Sequence, residues 1–483
     1  MLKVNREKTV HFAQIHKCVN ERFFSKKKEV YMKKKLLSVL LVGTMAVASL
    51  AGCGGSGSST PAGTTDTSEA ATAATGGGAA GAGDGQHSLT VSAWDANFNI
   101  PALKAAEEDY KANVDPDFEL IINEVSGSSD IETAITTGGS AGDYSQLSDI
   151  VLFQDHYIQR YVADYPDAWV PVEGADIDWS DFGEEKLSYS MIDGKHYGVP
   201  VDNGTCIFAY RTDILEEAGY TLADVTDCTW EKWISIGEDV YNKTGKYLLS
   251  MDGDGNDLPY IMLQAEGTSQ WKDGKPYITE NETMVKIINV IVEAVQKNAL
   301  YLANDWSDYT DQTIQGDMVA GVMNGNWIIP TIKQVAENSG KWEITNIPTL
   351  NGGGGYAANG GSSLYITSNC ANPDLAKDFL AKTFGGSTAT YDKALTDGGV
   401  ITCCTSAGQS DIYKQGVEYF NDQPIYTDIV EMGTHVPVVE QSDYHYSCRS
   451  LIAAAIINIA QNGYTTEDAL KEAEDQLKFE MGL

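Results

Sequence analysis

The chain has 483 residues and a formal net charge of −35, with 68 Asp+Glu against 33 Lys+Arg. Residues 1–35 hold 11 Lys+Arg and 3 Asp+Glu, so the rest is more acidic still. Such a surface is repelled by nucleic acid and by anionic lipid headgroups, which excludes partners held by phosphate neutralisation.

Residues 1–31 show no sustained hydrophobic periodicity and read as an upstream extension, with Met32 the expected start. Lys33, Lys34 and Lys35 then precede an uncharged run over residues 36–51. A cationic start, a short apolar core and small residues before a cut site describe a signal peptide over residues 32–52. The run falls short of the ~20 residues of a permanent membrane span. Leu50-Ala51-Gly52-Cys53 resembles a bacterial lipobox. That resemblance implies a diacylglycerol on the Cys53 thiol, a new N-terminus at Cys53, and a protein lipid-anchored at the extracellular face of the cell membrane. Residues 53–87 are Gly, Ser, Thr and Ala with few apolar groups. They cannot bury enough surface to offset ordering entropy and read as a flexible tether.

About 395 residues remain, too many for one ordinary domain and comfortable for two. Leu89 to Trp94 alternate as a strand, a helix is expected over 101–111, and a second strand over 117–124. Ile131 and Ile135 share one helix face, and residues 148–153 form a short buried strand. Strand and helix in alternation build a parallel sheet with helices outside it. Ligands gather at the carboxyl ends of such strands, which places Trp94, Gln154 and Asp155 at the mouth of the sheet. An extended crossing is expected over 198–211. Thr229 is placed to cap a helix carrying Trp230, Trp233 and Val240 and closed by Gly245. A long helix covers 282–297, and residues 317–331 read as a strand, an Asn-Gly turn and a helix start. Residues 359–367 form a strand, and Asn372-Pro373 opens a helix. The run 450–460 is apolar nearly all round and reads as a buried helix. Asn462-Gly463 ends it, and Thr465 to Asp468 resembles a capping box before the last helix.

Cys206, Cys228, Cys370, Cys403, Cys404 and Cys448 lack zinc-ligand spacing and are expected mainly as buried thiols, with one bridge left open. The run from Asp252 to Asp257 starts like a calcium loop but has Asp257 where Gly is needed and Leu263 where Glu is needed. The glycines at 352–355 lack dinucleotide-loop spacing. No cofactor or metal is expected. No hydrolase motif stands out, although a carboxylate pair could hide among so many acids.

Four segments together resemble the extracellular solute-binding proteins, family 1, the carbohydrate-binding lipoproteins of ABC importers. They are the crossing with its Glu-Glu-Ala-Gly helix end (198–220), the helix after it (229–240), the small-residue strand with an Asn-Gly-x-Trp turn (316–330), and the Gly-Ser strand leading to an Asn-Pro helix (360–380). The resemblance covers roughly 88–483. It implies two interleaved α/β lobes of the type II periplasmic-binding-protein kind, joined by a hinge with the ligand between them. One lobe would hold 88–199 and 345–405, the other 200–344 and 406–483. A monomer that presents a carbohydrate to membrane permease subunits is implied.

A sugar site needs a flat apolar platform and side chains that donate and accept hydrogen bonds. Trp327 is the first expected platform, through the family's position for it, and Trp94 the second; each competes with plain core packing. Asp155 is expected to accept hydroxyl hydrogens. Asp202 and Asn203 sit at the hinge crossing, and Gly361 and Ser362 let backbone approach a ligand. Trp306, Tyr356, Tyr444 and Tyr446 are weaker candidates, and His435 reads as an exposed loop histidine. The rival readings are a receptor of the same fold for a peptide or polyamine, and a surface enzyme acting on polysaccharide.

Overall fold

In the computed structural model residues 85–253 and 257–483 are described. The upstream extension, the signal peptide, Cys53 and nearly all of the tether lie outside them, and every described residue belongs to one compact unit. The first elements alternate: β1 (Ser88–Ala93), α1 (Asn99–Asn113), β2 (Glu119–Glu124), α2 (Ser128–Ala141), β3 (Ile150–Gln154) and α3 (Asp155–Asp164). β1 pairs in parallel with β2 from Ser88↔Glu119 to Ala93↔Glu124, and with β3 at Val91↔Ile150. β1 is covered on both faces, so its polar residues need partners. Thr90 finds one: its backbone N–H and its hydroxyl both donate to Asp149 at 2.8 Å.

After β4 (Trp169–Val170) and α4 (Glu184–Ser190), the chain enters β5 (Gly198–Arg211), a strand buried along all 14 residues. The rest follows as α5 (Trp230–Thr244), α6 (Leu258–Ala265), α7 (Glu282–Gln296), β6 (Gly321–Gly325), β7 (Trp342–Thr345), β8 (Ala358–Thr367), α8 (Pro373–Lys382), α9 (Thr388–Gly398), α10 (His445–Asn462) and α11 (Thr466–Glu480), with shorter turns of helix and strand between them. The main sheet runs β6-β5-β8-β3-β1-β2, with β7 also on β5 and β4 also on β8. The first half of β5 pairs antiparallel with β8, from Gly198↔Tyr365 to Thr205↔Ala358. Its second half pairs with β6 and β7. One continuous strand therefore belongs to two packing environments.

Separate hydrophobic clusters lie on either side of that strand. One joins β1, β2 and β3 to α1, α8 and α9 through Leu89, Leu103, Phe118 and Phe379. Another joins α5, α7, α10 and α11 through Trp230, Trp233, Ile287, Ile456 and Leu477. A third lies around β6 and β7 and includes Tyr309, Trp342 and Phe420.

The local signals hold where they depend on neighbours in sequence. The Thr229 hydroxyl accepts from Lys232 N–H, Asn372 accepts from Leu375 N–H, and Thr465 accepts from Asp468 N–H. Gly245 and Gly463 close their helices in the left-handed region. α10 differs from expectation. It starts at His445, and below Ala453 only some of its apolar residues are buried, with Ile457 and Ile459 half-buried. α11 and α7 pack against it, and its C-terminal turns stay partly open to solvent. The six described cysteines are buried free thiols.

Candidate ligand cavity

A cavity of about 680 Å³ opens at the ends of β1, β3 and β6 and the start of α10, over the first halves of β5 and β8. Trp94 and Asp95 follow β1 directly, and Gln154 ends β3. Asp95 holds a positive φ of 67° and accepts from Asn97 N–H at 2.9 Å, which turns the chain away from the sheet edge. Opposite stand Trp306 and Trp327, their ring centres 6.0 Å apart. Trp327 follows β6, and its indole N–H donates to the Asn359 carbonyl at 2.8 Å. That bond pins the ring edge to β8 while the ring still borders the cavity.

The floor is where β5 and β8 cross. Asp202 accepts from Ser362 N–H at 3.0 Å and from the Ser362 hydroxyl at 2.5 Å. Burial pushes the Asp202 carboxyl above its ordinary range, and Lys186 together with the Ser362 bonds opposes this. Gly361 stands at φ +97°, and a Cβ there would lie 2.6 Å from Asp155 Oδ2. Only glycine fits this conformation and this approach. Asn324 and Asn359 form an amide ladder above the floor: Asn359 Nδ2 donates to Asn324 Oδ1 at 2.8 Å.

The remaining wall comes from α10 and the segment before α6. The Arg449 guanidinium lies 4.5 Å over the Tyr446 ring, and Arg449 Nη1 donates to Asp257 Oδ2 at 3.0 Å. Asp257 Oδ1 is 2.7 Å from His445 Nε2. Burial raises the Asp257 pKa, and His445 and Arg449 more than reverse this, so its carboxylate stays ionised. His445 stacks on His156 with centres 4.4 Å apart and planes 2° apart. Burial and the neighbouring His445 lower the His156 pKa to about 3, which keeps that ring neutral.

Of the residues singled out from sequence, Trp94, Asp202, Trp306, Trp327, Gly361, Ser362 and Tyr446 border this cavity. Asp155 does not. It turns under the floor, 1% exposed, where Lys186 Nζ donates to Oδ2 and Ser363 Oγ to Oδ1. Asn203 is buried beside it, its carbonyl accepting from Asn326 Nδ2 at 2.6 Å. Tyr356 packs 5.1 Å from the His435 ring, and Tyr444 packs against the α5–α10 cluster. Both lie off the cavity wall.

Sequence reasoning passed over Arg449, Asp257 and the Asn324–Asn359 pair. Arg211, at the end of β5, is committed to Asp213 and Asp317. Tyr446 and Arg449 are three residues apart on one helix face, a spacing that could have flagged the pair. A second groove of about 540 Å³ between α10 and α11 carries no aromatic ring on its walls. Among the described residues no His, Cys, Asp or Glu group is arranged to hold a metal ion.

The profile of the bacterial extracellular solute-binding proteins matches residues 102–421. A lactose-binding protein of Rhizobium radiobacter is 32% identical over 393 residues, 80% of this chain and 92% of that protein. An arabinooligosaccharide-binding protein of Halalkalibacterium halodurans is 22% identical over 62% of this chain and 69% of that protein. Among solved structures, the sugar-binding protein MalE of Xanthomonas citri superposes with a TM-score of 0.67 at 16% identity, covering 81% of this chain and 96% of that one. The two-lobed type II periplasmic-binding-protein fold is thereby shown. With an aromatic cavity at its sheet and a profile match spanning about two thirds of its length, this chain belongs to the bacterial extracellular solute-binding proteins.

Proposed function

We propose that this protein is the substrate-binding component of an ABC importer and that its solute is an uncharged sugar or short oligosaccharide. The observation that carries the reading is the cavity itself. Three tryptophans offer flat apolar faces to C–H surfaces, and Asp202, Asn324, Asn359 and Gln154 offer hydrogen-bonding groups between them. Its volume of about 680 Å³ is that of a small-molecule site. The sugar-binding names of the relatives agree with this chemistry.

Capture proceeds by closure of two lobes, 88–199 with 345–405 and 200–344 with 406–483, about the β5–β8 crossing. The sugar leaves unchanged. A lipid on Cys53 and the tether behind it hold the monomer near its permease.

Thermal denaturation of the purified protein tests the solute class, since a ligand held only by the folded chain raises the melting temperature. Lactose, arabinooligosaccharides and maltodextrins form one panel, spermidine and mixed peptides another. A rise with at least one sugar, recovered intact, is expected. A rise confined to the second panel, or hydrolysis of the sugar, overturns the reading. Cys53→Ala is expected to move the protein from membrane to soluble fractions.

A further inference from the structure

Resting on the sugar-binding reading, we infer that Arg449 and Tyr446 form a ligand-contacting wall that reads the oxygens of an uncharged sugar, and that Asp257 and His445 are its positioning residues. The guanidinium has a fixed plane because Tyr446 lies 4.5 Å beneath it and Asp257 holds Nη1 at 3.0 Å. Tyr446 is itself fixed, stacked on Tyr157 with centres 4.7 Å apart and planes 17° apart. Asp257 is 4% exposed and held from behind by His445, which is 1% exposed and stacked on His156. The ledge is thus built before any solute arrives, on a helix that also borders the cavity.

The chemistry selects the solute's charge. Arg449 faces a buried carboxylate at ion-pair distance, so its positive charge is already matched locally. Asp95 and Asp202 border the same space. An incoming carboxylate would meet more negative than positive groups, whereas the lone pairs of neutral hydroxyl and ring oxygens suit a guanidinium whose charge is balanced.

The test uses the purified full-length protein and lactose, with lactobionate as its singly charged acid counterpart, measured by calorimetry at fixed salt. Arg449→Gln is expected to weaken lactose binding at least tenfold, and lactobionate to bind at least tenfold more weakly than lactose to the unaltered protein. Asp257→Asn should weaken lactose comparably. The double variant should be no weaker than Arg449→Gln alone, because a positioning residue has nothing left to position. If Asp257→Asn fails to fold, His445→Gln takes its place in the cycle. Lactose affinity unchanged in Arg449→Gln, additive losses in the double variant, or tighter binding of lactobionate each overturn the inference. If the unaltered protein binds no sugar, the sugar-binding reading fails instead.

Discussion

Trp327 shows how one side chain is split between structure and function. Its N–H is satisfied by Asn359, so the ring cannot turn without losing that bond, and one side is left toward the cavity beside Trp306. Removing it should cost binding more than folding. Trp327→Ala is expected to weaken sugar affinity by about thirtyfold, the effect of roughly 2 kcal/mol at a hot spot, with Trp327→Phe losing less. Calorimetry on both variants checks this. Gly361 makes the opposite case. Its positive φ and the 2.6 Å approach to Asp155 Oδ2 leave no room for a methyl group. Gly361→Ala is expected to lower stability by about 1–3 kcal/mol or more, read as a drop in denaturation midpoint. Trp327 was singled out through the family resemblance at its Asn-Gly-x-Trp turn, and it borders the cavity. The role of Asp155 was not legible: it depends on Lys186, 31 positions on, and on Ser363, 208 positions on. A carboxylate at a strand's end looks the same in sequence whether it faces a cavity or a buried lysine.

Among the elements, those fixed by neighbouring residues were readable and those fixed by distant partners were not. The caps at Thr229, Asn372 and Thr465 belong to the first kind. Asn281, which was not read as a cap, accepts from Thr283 and Met284 N–H at the start of α7 and also donates Nδ2 to the Ser269 carbonyl. α4 belongs to the second kind. Nothing in its seven residues announces that Glu185 faces Gln264 of α6, or that Tyr189 meets Tyr260. Burial raises the Glu185 pKa to about 7, with Tyr189 opposing this and Asp155 adding to it. The folded chain therefore keeps a proton that the unfolded chain releases from about pH 4.5. This contribution to stability is complete below pH 4.5 and is lost as pH rises through about 7. Glu185→Gln removes the titration. Relative to the unaltered protein, the variant is expected to gain up to about 3 kcal/mol between pH 5 and pH 8, measured by denaturant unfolding at both values. A constant difference across that range would show that Glu185 does not titrate there.

At the scale of the molecule, the fold turns on β5 and β8, because these two strands connect packing clusters that otherwise have separate interiors. The family resemblance implied interleaved lobes with 198–211 as a crossing, but what holds that crossing together was not legible in the sequence. Lys186, from α4, is 1% exposed and donates to Asp155 of α3 and to the Ser362 carbonyl of β8, while Ser362 donates to Asp202 of β5. One buried cation thus ties four elements beneath the cavity floor. Burial lowers its pKa, and Asp155 and Asp202 among its neighbours together more than reverse this, so it remains charged. Burial in turn lifts the Asp155 carboxyl to about 6 despite the lysine. An ion pair this deep is weak evidence of stability, but breaking it from one side strands the other charge. Lys186→Met is expected to cost about 3–5 kcal/mol and to weaken sugar binding through Ser362 and Asp202. Lys186→Met with Asp155→Leu should recover part of the stability, because the Asp155 charge goes with the lysine and Asp202 keeps its two bonds from Ser362, while affinity stays low because the Ser362 carbonyl has lost its donor. Denaturation midpoints and calorimetric affinities measured on the same samples separate the two effects. Recovery of both together would mean that the tie serves folding alone.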